Sequence, residues 1–207
     1  MSSLSHLQAH HVDFAHFKDL MVQTSTGRFG PTWWGIWAQH VDLPTGGTIV
    51  DLGTGPGLLL PMLRARHPDA KLVGVEVQPE MLAHAHGVAA ACDAELVSSD
   101  LADPLPLADA CADVVTAVMV LHELTFPPAF LSEIARVLKP GGTLVLFDWV
   151  KRPLRAYLEV PDAPLDEDVL QHFREHCLFA ADDLGFLCER AGLAVGEILL
   201  RQGGHFA

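Results

Sequence analysis

A chain of 207 residues, half of them hydrophobic, suffices for one domain with a buried core. Its 26 acidic against 13 basic residues leave a formal net charge of −13 with histidine neutral. That balance disfavours gripping nucleic-acid phosphates or an anionic membrane surface, and the one dense basic cluster, Lys151, Arg152 and Arg155, reads as a solvated loop.

From Met1 to His6 there is no basic-then-apolar leader, and no apolar run reaches about 18 residues. A soluble, cytoplasmic chain is expected. Cys92, Cys111, Cys177 and Cys188 show no metal-type or redox spacing and lie in apolar patterns, so they read as buried free thiols. Twelve histidines include His6, His10, His11 and His16 near the start and the pair His172 and His176. None stands with a convergent acid or cysteine, and no metal site is expected.

In chain order, Ser5 to Met21 has apolar residues at helical spacing, including Leu7, Phe14, Phe17 and Leu20. Thr24 to Pro31 reads as a loop. Trp33, Trp34 and Trp37 fall on a short helix ending near His40; with Phe29 they pack a core or wall a pocket. Strands are then expected over Thr48–Leu52, Lys71–Val77, Glu95–Ser99, Ala112–Val120 and Thr143–Trp149, and helices over Leu58–Arg66, Pro79–Ala91 and Pro128–Leu138. The alternation implies a doubly wound, mostly parallel α/β sheet with helices on both faces. Lys151 to Pro164 is an irregular connection. Helical patterns cover Leu165–His176 and Ala181–Ala191, and Ala194–Leu200 reads as a sixth strand.

The chemistry gathers where strands end. Val50-Asp51-Leu52-Gly53-Thr54-Gly55-Pro56-Gly57 is strand, glycine turn, helix start, with Asp51 at the strand's tip. Glycines let a ligand approach the backbone closely. A dinucleotide site needs a further glycine where Leu58 stands, and Asp51 would repel a pyrophosphate but attract an ammonium or sulfonium. Glu76 closes the second strand, 21 positions after Gly55, where an acid can accept hydrogen bonds from a ribose diol; Val77 would lie against an adenine face. Asp100 follows the third strand, and either takes an adenine amino group with the Leu101 backbone beside it or forms an Asx turn. The fourth strand runs through Val118 to Leu121-His122-Glu123. His122 is a candidate general base, since an ordinary imidazole titrates near neutrality. Glu123 would bind a cation or cap the next helix.

The strings VDLGTGPG, GVEVQPEML, SSDLADPLPL, ADVVTAVMVLHEL and EIARVLKPGGTLVLFD together span about Gly47 to Asp148. Over that span the chain resembles the class I S-adenosylmethionine-dependent methyltransferases, in the branch of the quinone-biosynthesis C-methyltransferases and other small-molecule enzymes. The resemblance implies a Rossmann-like sheet, S-adenosylmethionine as methyl donor and S-adenosylhomocysteine as product. It implies that Asp51, Gly53, Thr54, Gly55 and Gly57 hold the methionine portion, Glu76 and Val77 the ribose and adenine, and Asp100 and Leu101 the adenine. Val118 and His122 would stand near the transferring methyl group.

Two departures from the family pattern stand out. The family sheet ends in a hairpin that inserts a seventh strand, and here only Gln202 to Ala207 follow the sixth, so the last strand is expected to be short or missing. An open edge invites a second chain, a homodimer being the simple case. Phe126-Pro127-Pro128-Ala129 lacks the flanking residues of a base-methylating motif. The expected organisation is one domain: a helical cap over residues 1–45, a cofactor core over 46–150, and an acceptor side over 151–207. The expected activity is methyl transfer to a small-molecule acceptor at carbon, oxygen or nitrogen. Its rivals are a non-catalytic S-adenosylmethionine-binding module and a nicotinamide-dependent oxidoreductase.

Overall fold

A computed structural model describes residues 14–153, 170 and 179–200. The part of the expected first helix before residue 14, with His6, His10 and His11, lies outside the described residues, as do Cys177, His172, His176, most of the segment expected to be helical over Leu165–His176, and residues 201–207.

Six helices are described: α1 (Phe14–Arg28), α2 (Pro31–His40), α3 (Leu59–Arg66), α4 (Pro79–Ala91), α5 (Pro127–Val137) and α6 (Ala181–Arg190). The strands are β1 (Thr48–Leu52), β2 (Lys71–Glu76), β3 (Ala94–Ser98), β4 (Ala112–Val118) and β5 (Leu138–Phe147). They form one sheet in the order β3-β2-β1-β4-β5, with every neighbouring pair parallel. The strands are apolar on both sides because both sides are covered. Ile49 and Val114 pack with Leu59, Leu60 and Leu63 of α3, whereas Val50 and Val115 pack with Leu131 and Ile134 of α5. Successive strand residues thus serve opposite layers, which is the doubly wound arrangement expected from the alternating pattern.

The boundaries differ where side chains override local signals. Residues 24–28, expected to be loop, continue α1. The Ser25 hydroxyl donates to the Val22 carbonyl at 2.6 Å and Phe29 N–H to the Ser25 carbonyl at 2.8 Å, so this Ser/Thr segment bonds back along the helix instead of leaving it. β4 stops at Val118 rather than Val120 because Met119 turns to φ 58° and Leu121–Glu123 form a 3-10 turn. β5 begins at Leu138, whose partner is Ala112; the next pairing, Val114 with Thr143, leaves Lys139-Pro140-Gly141-Gly142 bulged out.

No sixth strand is present among the described residues. Residues 193–200 keep the apolar pattern, but no strand pairs with them, and a strand exists through its ladder. Ile198 leans on α6 near Gly185, and Glu197 meets His40 of α2 at 2.9 Å. A cavity of about 750 Å³ lies between this segment, α2 and the outer edge of β5. It follows the edge strand back to Gly141 and Gly142 and does not cross the strand tips.

The tryptophan cluster is core. Trp33 and Trp37 are each 4 % exposed. Trp33 packs edge-on against Phe29 and Phe147, and the Trp37 indole N–H donates to His67 Nε2 at 2.9 Å. Arg66 lies 3.5 Å above the Trp34 ring. Trp33 and Trp37 serve both roles expected of these rings: they pack α2 onto the sheet and line the cavity beside β5. Replacing Trp33 by Ala is therefore expected to lower unfolding free energy by about 3–5 kcal/mol in a urea titration. Unchanged stability would place this ring outside the core.

Candidate functional site at the strand tips

Strand order reverses between β1 and β4: β2 and β3 lie to one side, β5 to the other. A crevice outside the carboxyl ends of the strands opens at such a reversal. Asp51 stands one residue before the end of β1, Glu76 ends β2, and Asp100 lies two residues past β3. Because all neighbours run parallel, the structure brings these three acids to one edge in the order the sequence suggests.

The turn after β1 is built on its glycines. Gly53 has φ 68°, and a Cβ there would come within 2.6 Å of Val120 Cγ2. Gly55 has φ 55° and lies under Met21 of α1. Both positions need the left-handed region, which side chains resist. The N–H groups of Gly53 and Thr54 donate to the Val75 carbonyl, at 2.9 and 3.0 Å, so the turn is sewn onto β2. Gly57 then leads into α3.

Glu76 fastens the other side. Its Oε2 accepts from Gly55 N–H, and its Oε1 from Val77 and Gln78 N–H, all at 2.9 Å. Burial raises the Glu76 pKa, and the three donors oppose that rise. Two N–H donors fill Oε1 and one occupies Oε2, so the acceptor capacity left to this nearly buried carboxylate lies on Oε2. Val77 is half-buried beside it.

Asp51 behaves differently from the sequence expectation of a carboxylate facing a cation. It is 3 % exposed, with Oδ2 accepting from the Thr54 hydroxyl at 2.7 Å and Oδ1 from the Thr116 hydroxyl at 2.6 Å. Thr116 is its register partner on β4. Burial, with Glu76 nearby, pushes Asp51 up to about 6 against those two hydroxyls. Asp51 therefore shapes the turn from beneath. Asp100 Oδ1 accepts from Ala102 N–H at 2.9 Å, the Asx-turn alternative, which also presents the Leu101 backbone at the tip. The Leu101 side chain belongs to the core with Leu105 and Leu121. Val118 is half-buried at the end of β4, opposite Phe147.

The geometry argues against His122 as a base. Its Nδ1 lies 2.5 Å from Asp148 Oδ1 and its Nε2 3.3 Å from Glu123 Oε1, with the side chain 9 % exposed. Burial disfavours the charged ring, but Asp148 and then Glu123 outweigh it and push His122 up to about 10. An imidazolium with both nitrogens directed at carboxylates has no lone pair with which to take a proton. Glu123 faces this ring rather than a cation from outside.

Asp148, Thr116, Val120 and Met21 complete the site and were assigned no role from sequence. Asp148 had a readable signal: like Glu76 and Asp100, it is an acid at or just past the end of a strand. The other three depend on register and on cross-chain packing, which no local pattern carries.

Known methyltransferases are similar to this chain in sequence and fold. Residues 50–146 match the family described as a methyltransferase domain. A demethylmenaquinone methyltransferase of Thermus thermophilus is 38% identical over 112 residues, 53% of this chain and 50% of that protein. A trans-aconitate 2-methyltransferase of Azoarcus is 37% identical over 107 residues, 52% of this chain and 41% of that protein. The chain thus spans half or less of the length of these two relatives. Among solved structures, a SAM-dependent methyltransferase from Aquifex aeolicus superposes with a TM-score of 0.63 at 27% identity, covering 83% of this chain and 84% of that one.

The two shifted groups make stability depend on pH. His122 is raised above its ordinary 6.5, so its contribution is fully present below that value and is lost as pH rises through about 10. Asp51 is also raised, from 3.8, so its contribution is present below that value and is lost as pH rises through about 6. Thermal unfolding of the parent chain and His122→Gln from pH 6 to pH 10 checks the first window. The parent's advantage is expected to shrink steadily across it; a pH-independent difference would show that His122 carries no extra proton when folded.

Proposed function

We propose that this chain, whose residues 50–146 match a methyltransferase-domain family, is a class I S-adenosylmethionine-dependent methyltransferase that binds S-adenosylmethionine across the strand tips and transfers its methyl group to a small-molecule acceptor. The observation that carries the reading is the ordered series at one sheet edge: glycine turn after β1, Glu76 ending β2, Asp100 after β3. The residues fit the ligand. The glycine turn, at positive φ and packed against Val120 and Met21, is fixed in shape beside Glu76, whose Oε2 accepts one N–H and keeps a lone pair for a ribose hydroxyl.

In this reading the Gly53–Gly57 turn holds the methionine portion and Thr54 is kept in place by Asp51. Glu76 accepts from the ribose hydroxyls, Val77 walls the adenine, and Asp100 and the Leu101 N–H address its edge. S-adenosylmethionine supplies an electrophilic methyl carbon bonded to a positively charged sulfur. Transfer of that methyl to an acceptor's electron pair would leave a neutral sulfide, so the cofactor would supply its own leaving group. The leaving group needs no acid, so the protein's task is alignment and exclusion of water. That suits a site whose buried histidine is already protonated.

The domain boundaries follow the same logic: a cap over residues 1–45, a cofactor core over 46–150 and an acceptor side over 151–207. A small acceptor suits the net charge of −13 better than nucleic acid or an anionic membrane. Among the described residues no helix is long and apolar enough to cross a membrane. Cys92, Cys111 and Cys188 are free thiols, which fits a reducing compartment, the cytoplasm.

Incubation with methyl-labelled S-adenosylmethionine and a panel of hydroquinones, carboxylic acids and amines tests the reading. Label is expected in at least one acceptor, with S-adenosylhomocysteine formed in equal amount. Tight cofactor binding with no transfer across the panel would instead assign a binding module, and preference for NAD over S-adenosylhomocysteine in thermal shift would assign an oxidoreductase.

A further inference from the structure

Asp148 is fully buried at the end of β5, and its carboxylate gathers donors from two segments. Oδ2 accepts from Leu121 N–H at 2.7 Å and Val120 N–H at 3.2 Å, and Oδ1 from Trp149 N–H at 2.7 Å and the His122 ring at 2.5 Å. Met119 N–H donates to the Phe147 carbonyl at 2.7 Å. The β4 tip is thereby tied to the β5 tip through a turn that contains Met119 at φ 58°. Val120, held by this turn, rests on Gly53, the first glycine of the turn that follows β1.

We propose that Asp148 and His122 form a positioning pair, which sets the β4 tip turn so that Val120 closes on Gly53 and fixes the glycine turn in its cofactor-holding shape. This rests on reading the strand tips as an S-adenosylmethionine site. The pair touches no reacting atom; it acts through Val120. Among the described residues the charged groups facing the His122 ring are Asp148, from the end of β5, and Glu123, from the 3-10 turn. A backbone φ of this sign at Met119 is costly for a side-chain-bearing residue and persists where surroundings over-determine it. The Asp148 carboxylate supplies that over-determination, because an amide in its place could not accept from both the backbone N–H groups and a protonated ring.

The test combines calorimetry with S-adenosylhomocysteine and nitrogen NMR of histidine-labelled chain. In the parent, both His122 ring nitrogens should remain protonated at pH 8, and the Nδ1–H resonance should move when S-adenosylhomocysteine is added. Asp148→Asn should bring His122 to its neutral form at pH 8 and weaken S-adenosylhomocysteine at least fivefold, with Asp148→Glu recovering part of both. If Asp148→Asn does not fold, Val120→Ala carries the test: His122 stays protonated while affinity falls at least threefold. A neutral His122 in the parent at pH 8, a folded Asp148→Asn binding within twofold of the parent, or unchanged affinity in Val120→Ala overturns the pairing. A parent chain that binds no S-adenosylhomocysteine at all overturns the cofactor reading instead.

Discussion

A carboxylate taken out of water must find donors or give up its charge. At the tips of this sheet that demand is met from inside the molecule, and the Glu76 bonds show how. One oxygen holds the Gly55 N–H of the first turn and the other holds the two N–H groups that follow β2. The interaction therefore joins two strand ends that are far apart in sequence. The glycine turn takes its shape from β2 as much as from its own residues, since Gly53 and Thr54 also donate to Val75.

The same solution recurs along the edge. Asp51 is satisfied by the hydroxyls of Thr54 and Thr116, and Asp148 by backbone N–H groups and the His122 ring. Each acid links its own strand to a neighbour. Acids near strand tips thus serve two purposes that the sequence does not separate. Glu76 shapes the cleft and keeps acceptor capacity at its wall, whereas Asp51 and Asp148 are spent on the scaffold. The same acids cross-link neighbouring strand ends, and fixed placement is what a reaction governed by alignment asks for.

Much of this was legible beforehand. β1 and α4 fall where apolar runs, Pro79 and the glycine turn place them, because those signals are local and the strands are covered on both faces. Glu76 and Asp100 were readable as acids ending apolar runs, and parallel topology then forces them onto one edge. The misreadings have a common origin in contacts made elsewhere. Residues 24–28 stay helical through hydroxyls bonding backwards; β4 ends early because Met119 reverses its φ; residues 194–200 have a strand's pattern but pair with no strand among the described residues. His122 looked like a base because an isolated imidazole titrates near neutrality. Its partner, Asp148, lies 26 residues away and becomes visible as one only once β4 and β5 pair.

The account stands on Glu76 as the residue that joins the turn to the ligand. Calorimetric titration of the parent and Glu76→Gln with S-adenosylhomocysteine measures it directly. Loss of the anionic acceptor is expected to cost roughly 1–3 kcal/mol, a weakening of about 5- to 150-fold, in a chain that remains folded. Equal affinity in the two proteins would contradict the account.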